Sequence, residues 1–143
     1  MLLAAAIAVG VLVSATYVSD LGRNKTALPP GCTKPADGFL IIAGDSPGNV
    51  GYNDSAGHGA PTNPWPIIRV QKGTTVNITV CNTDTQAHGF NISHYYDSSI
   101  ETVAPGQVIR VQFVASETGT FGIYCAIFCT IHVFMQSGEL IVE

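Results

Sequence analysis

The sequence predicts an all-β domain, a Greek-key sandwich or barrel, behind one N-terminal transmembrane helix. Three observations predict it. Fifteen glycines and eight prolines in 143 residues call for many turns, which suits short strands better than helices. Several segments alternate apolar and polar residues with period two, the signature of a strand with one face in a core. The opening run, residues 2–18, carries no charge. The chain divides into an anchor at 1–19, a linker at 20–37 and a β domain at 38–143.

Taken as a helix, residues 2–18 would span roughly 26 Å, close to a ~30 Å hydrocarbon core. A cleaved signal peptide is the competing reading, because Val13-Ser14-Ala15 resembles a small-residue cleavage site. No Lys or Arg precedes the run, so a retained anchor is expected. Arg23 and Lys25 follow it and weigh against an exported C-terminal domain. Four N-x-Ser/Thr sequons, at Asn24, Asn53, Asn77 and Asn91, weigh for export, since such sites matter only outside the cytoplasm. The expected location is the cell membrane, single-pass, with the domain on the extracytoplasmic side and open to N-glycosylation.

Composition narrows the function. Charged residues are 11% of the chain and the net charge is −4, so there is no basic patch for nucleic acid. Hydrophobic residues make up 46%, enough for a core. Mean hydropathy is +0.30, high for a soluble domain.

The linker is rich in Pro, Gly and Lys. Residues 39–43 are a short apolar run, and 45–66 read as a long polar loop. Residues 67–71 are β-branched. Val76, Ile78 and Val80 alternate with Asn77, Thr79 and Cys81, so one face is core and the other wet. His88, Phe90 and Ile92 alternate with Gly89 and Asn91, which puts His88 on an inward face. Ile109, Val111 and Phe113 alternate with Arg110 and Gln112. Residues 121–125 and 139–142 complete the strands.

The informative stretch lies between those last two strands. Residues 124–135 hold Cys125, Cys129, His132 and Met135, which is two of the four cysteines and the one methionine besides Met1. Thiolate, imidazole and thioether together suit copper, and His88 supplies a second imidazole from a distant strand. A zinc site uses thiols and imidazoles too, but it usually places two residues between its cysteines, and Met135 would be idle. Singly, each residue has a plainer role: a buried Cys as a small hydrophobe, Met as core filler, His88 as a hydrogen-bonded core histidine.

The order Cys125-x₃-Cys129-x₂-His132-x₂-Met135, preceded by His88-Gly89-Phe90, Pro105-Gly106 and Gly119-Thr120-Phe121, resembles the cupredoxin domain of cytochrome c oxidase subunit II. The same module occurs in nitrous oxide reductase. The likeness covers roughly residues 64–143 and is weaker over 39–63. It implies a cupredoxin Greek-key β-sandwich or barrel and a dinuclear CuA-type copper centre. In that centre Cys125 and Cys129 would bridge both coppers. His88 and Met135 would complete one, and His132 with the carbonyl of Ile127 the other. The implied role is electron entry to a haem–copper terminal oxidase, not catalysis by this chain alone. The implied partners are an integral haem–copper catalytic subunit and a small electron donor, a cytochrome c or a blue copper protein.

One departure bears on copper nuclearity. The family separates the second Cys from the His by three residues, whereas only Thr130 and Ile131 stand between Cys129 and His132. The shortened part resembles the ligand loop of amicyanin-like type 1 proteins, which implies one copper held by one Cys, His88 and His132 with a weak axial Met135. That reading makes the chain a stand-alone membrane-anchored electron carrier. A third reading is a copper-free structural subunit of a quinol oxidase.

The neighbours Ile127, Phe128, Ile131, Val133 and Phe134 are expected to keep water from the metal. No acid or base is expected beside it. His94 follows Ser93 directly, and adjacent strand residues face opposite ways, so no hydrolase is indicated. Tyr95, Tyr96, Asp97 and Glu101 read as ordinary surface, and His58 as a solvent-exposed loop residue. Cys32 and Cys81 remain; in an exported domain a disulfide between them is expected, stabilising by ~3–4 kcal/mol, the alternative being that both stay reduced and unpaired.

Overall fold

Strand β1 (Phe39–Ser46) turns at Pro47 and Gly48 into β2 (Asn49–Tyr52), an antiparallel hairpin where the sequence reads as loop. Gly48 sits at φ 82°, a left-handed conformation that glycine adopts at low cost. The loop expectation fails because Gly and Pro here punctuate a tight turn, and Tyr52 is drawn into the core with none of its surface exposed. The computed structural model describes residues 27–58 and 62–143. The expected anchor at 1–19, the first part of the linker and the Asn24 sequon lie outside the described residues. Among the described residues, no helix is long and apolar enough to cross a membrane.

The remaining strands are β3 (Ile67–Val70), β4 (Thr75–Asn82), β5 (His88–Gly89), β6 (Asn91–Ile92), β7 (Thr102–Val103), β8 (Val108–Val114), β9 (Gly119–Tyr124) and β10 (Gly138–Val142). One four-stranded sheet runs β2-β1-β4-β8, a second runs β3-β10-β9-β6, and β5 pairs with β7 in a two-stranded ribbon. Each large sheet mixes one parallel pair, β1 with β4 and β3 with β10, with antiparallel ones. Ile41, Val76, Ile78, Val80 and Val111 of the first sheet share one core with Ile68, Ile92, Ile123, Leu140 and Val142 of the second. Period-two burial on both sheets therefore makes a sandwich, each large aliphatic contributing about 1.5–3 kcal/mol.

Strand β4 departs from its expected wet face. Thr79 and Cys81 are as buried as Val80. Cys81 is joined to Cys32 by a disulfide, with Cα atoms 5.8 Å apart. The bond draws the linker over the sheet, where Thr33 and Pro35 lie beside Asn77 and Thr79. The expected disulfide is present, and it is the reason the outer face of β4 is covered.

Residues 88–92 do not alternate either. His88, Phe90 and Ile92 are buried as expected, but so are Gly89 and Asn91. The chain switches sheets at Phe90, so both sides of the segment meet protein. The Asn91 amide donates to the carbonyls of Tyr96 (3.2 Å) and Ser99 (2.7 Å), which closes that sequon to glycosylation in the folded chain. Asn53 is also engaged, donating to Leu40 O at 3.0 Å and accepting from Ile42 N at 2.7 Å.

Candidate metal centre

The loop between β9 and β10 is closed by its own hydrogen bonds. The Cys125 N–H donates to Met135 O (2.9 Å), and Gln136 Nε2 donates to Cys125 O (2.9 Å). A single 3-10 turn, His132–Met135, ends the loop. Its approach is tightened by bonds from His132 N to Cys129 O (3.2 Å) and Phe134 N to Ile131 O (3.0 Å). These contacts fold the stretch back on itself, so that side chains three to ten residues apart face one point.

His88 meets that point from the β5–β7 ribbon. One of its ring nitrogens and the sulfurs of Cys125 and Cys129 all lie within 4.8 Å of one another, and all three residues are buried. Met135, fully buried, places Sδ 3.9 Å from Cys129 Sγ. On the other side, Cys125 Sγ is 3.0 Å from Ile127 O, which lies 2.9 Å from His132 Nδ1. The six residues named from sequence thus form one connected cluster. His132 is half-buried and stands outside the tight group of three.

Close packing at Gly89 makes this possible. Its N–H donates to Cys125 Sγ at 3.1 Å. A Cβ there would come within 2.8 Å of the Ala126 backbone nitrogen, so only glycine lets the ribbon approach the loop so closely.

The thiols are not equivalent. Burial pushes Cys125 up, but hydrogen bonding to His88, to the backbone of Gly89 and Ile127 and to His132 outweighs it, leaving Cys125 at about 7. Burial and the neighbouring Cys125 charge push Cys129 up to about 11. Burial opposes charging His88, yet the Cys125 thiol and the Asp84 carboxylate hold it above the ordinary imidazole value. Both cysteines are free thiols.

The residues fit a soft transition metal. His88 Nδ1 is buried and has no hydrogen-bond partner of regular geometry, the condition of a nitrogen whose lone pair belongs to a metal. Two thiols, two imidazoles, a thioether and a carbonyl are the donor set that copper prefers.

Several residues escaped the sequence reading. Asp84 Oδ2 lies 2.8 Å from His88 Nε2. Gln86 Nε2 donates to Thr130 Oγ1 at 2.7 Å and ties the His88 approach to the ligand loop. Tyr52 donates to Gly89 O beneath the site. An acidic residue four positions before the candidate histidine was the available signal for Asp84; nothing local marks Tyr52 or the Gln86–Thr130 pair.

The expected water screen is partly overturned. Ile131 is buried, but Phe128 is 93% exposed and Val133 66% exposed. They lie on a loop that folds inward at Cys125, Cys129 and Met135, which turns these intervening side chains out. Phe128 lies over the His132 ring, centroids 5.8 Å apart. His58 is exposed, as expected, and its ring lies tilted against Trp65, centroids 4.7 Å apart. Tyr95 and Tyr96 are half-buried and pack against the core.

A β-sandwich with soft donors gathered between its last two strands defines a cupredoxin-like protein. The sequence profile of the cupredoxin-like domain matches residues 65–142, more than half of the chain, and the chain belongs to that family. No curated protein matches it by sequence. Among solved structures it is similar to a multicopper oxidase (TM-score 0.57, 23% identity), over 78% of this chain and 45% of that one. The chain therefore spans less than half the length of that oxidase. It is also similar to auracyanin from Roseiflexus castenholzii (TM-score 0.54, 18% identity), over 76% and 98%. A chain of a heme-copper terminal oxidase dimer is similar over 97% of both chains (TM-score 0.52, 19% identity). These likenesses establish the cupredoxin fold.

Proposed function

We propose that the protein is the electron-entry subunit of a haem–copper terminal oxidase, with a dinuclear CuA-type centre held by His88, Cys125, Ile127, Cys129, His132 and Met135. The observation that carries the proposal is the convergence of His88 and both thiols within 4.8 Å. A mononuclear type 1 site needs one thiolate and would leave the second buried sulfur a spectator. Bound copper supplies a one-electron couple. The chain's own residues hold the donors in place: the β9–β10 loop is hydrogen-bonded at both ends, so little rearrangement accompanies a change of charge. The similarity to a heme-copper terminal oxidase chain over 97% of both lengths supports the subunit role.

The apolar run at 2–18 would anchor the subunit in the cell membrane, with the domain outside. Phe128 and Val133, exposed beside His132, offer an uncharged contact to the catalytic subunit or to a donor such as a cytochrome c or a blue copper protein.

A second reading is favoured by one observation. The Cys129–His132 spacing is short by one residue, and Cys129 is the sulfur next to Met135, at 3.9 Å. Cys129, His88, His132 and an axial Met135 would then hold one copper in an independent carrier.

Elemental analysis with EPR on the purified, copper-loaded chain decides between them. Two coppers per chain and a seven-line pattern uphold the proposal. One copper and a four-line pattern establish the carrier. A chain that takes up no copper refutes both and leaves a structural subunit.

A further inference from the structure

Asp84 is a carboxylate hidden from water in a chain with few charges. Its side chain is 6% exposed and that of its partner His88 is 0% exposed. Burying a carboxylate is costly unless it is paired, and the structure gives Asp84 an elaborate setting. Its N–H donates to Asn82 Oδ1 at 2.8 Å, and its Oδ1 accepts from Thr85 N at 2.6 Å. Asn82, itself buried, donates to Gln86 O (2.7 Å) and Val103 O (2.8 Å), which anchors the turn to the β5–β7 ribbon. The outcome of this network is one contact: Asp84 Oδ2 at 2.8 Å from His88 Nε2.

An ionised carboxylate only accepts hydrogen bonds. The proton of a neutral His88 ring must therefore sit on Nε2, which leaves Nδ1 with a lone pair. Nδ1 is the atom without a regular hydrogen-bond partner, on the side of the ring away from Asp84. We infer that Asp84 is a positioning residue: it locks His88 in the Nε2–H tautomer, presents Nδ1 to the two sulfurs and strengthens the imidazole as a donor. The inference rests on the copper reading given above. A carboxylate behind a ligating histidine raises ligand basicity and stabilises the more highly charged metal ion.

The test compares the full chain with Asp84→Asn, which keeps shape and size but is a weaker acceptor, and with Asp84→Glu. In the metal-free wild type at alkaline pH, nitrogen-15 NMR should find His88 protonated on Nε2. In Asp84→Asn this preference should weaken, copper affinity by competition titration should fall roughly 10–100-fold, and the reduction potential should rise. Asp84→Glu should recover part of the potential shift. Thermal midpoints measured without metal separate these effects from a loss of folding. A purely structural Asp84 would lower the midpoint and leave the tautomer and the potential unchanged, and that result overturns the inference. Finding the His88 proton on Nδ1 overturns it as well. If the wild type binds no copper, the proposed function fails, and the tautomer measurement alone decides Asp84. If Asp84→Asn does not fold, Asp84→Glu is read by the same three measurements.

Discussion

Tyr52 donates its phenolic hydrogen to the carbonyl of Gly89, the residue beside His88, while the Gly89 N–H donates to Cys125 Sγ. One peptide segment is thus held from below by the β1–β2 hairpin and from above by the ligand loop. The ring of Tyr52 also meets Phe90 edge-on, centroids 5.8 Å apart. Burial, with the Cys125 and Cys129 charges adding, holds its hydroxyl well above the ordinary tyrosine range, so it remains a donor. Tyr52→Phe leaves a buried carbonyl unpaired. It should destabilise the chain by about 1–3 kcal/mol, measured by urea unfolding, without changing copper stoichiometry.

Replacing Cys125 or Cys129 by Ser removes one of the two sulfurs that face His88. Either variant should abolish a seven-line EPR pattern. Under the dinuclear reading both should fall to one copper or none, whereas a type 1 carrier would lose its blue absorption only with Cys129→Ser. EPR and metal analysis on both variants read the difference directly.

The thiols give the metal-free chain a defined pH response. Cys125 is lowered from 9.0 to about 7. A depressed acid contributes stability that is fully present above its unfolded value and lost as pH falls through its folded value. Cys129 is raised from 9.0 to about 11, which costs stability as pH climbs through that interval. Metal-free stability should therefore rise from about pH 7 to 9 and fall from 9 to 11. Urea titrations across that range check the sign, and Cys125→Ser should flatten the lower limb. Copper uptake should weaken below pH 7, because binding must release thiol protons.

Cys32 and Cys81 are separated by 49 positions, and their disulfide pins the linker over β4. Cys32→Ser combined with Cys81→Ser should cost about 2–5 kcal/mol. The EPR pattern should survive, since neither sulfur belongs to the ligand cluster.

Phe128 is 93% exposed. Phe128→Ala should leave unfolding stability within about 0.5 kcal/mol of wild type, as for surface changes generally. Electron exchange with the partner should slow. Stopped-flow reduction at several ionic strengths tests this: a Phe128 effect that does not depend on salt marks an apolar contact.

The sequence alone determined the class of fold and marked the residues proposed as ligands. Period-two patterning between Gly and Pro turns depends on local chemistry, and so does a Cys-Cys-His-Met run short enough to curl around one point. It also marked Cys32 and Cys81 as a pair. Tertiary structure decided what depends on surfaces brought from elsewhere. Thr79 and Cys81 are dry because a disulfide lays the linker on them. Gly89 and Asn91 are buried because the chain changes sheets between them. Phe128 faces water because its loop folds inward at Cys125, Cys129 and Met135. The meeting of His88 with Asp84 on one side and two sulfurs on the other required β5 and the β9–β10 loop to dock, and residues some forty positions apart come together only by closing the sandwich.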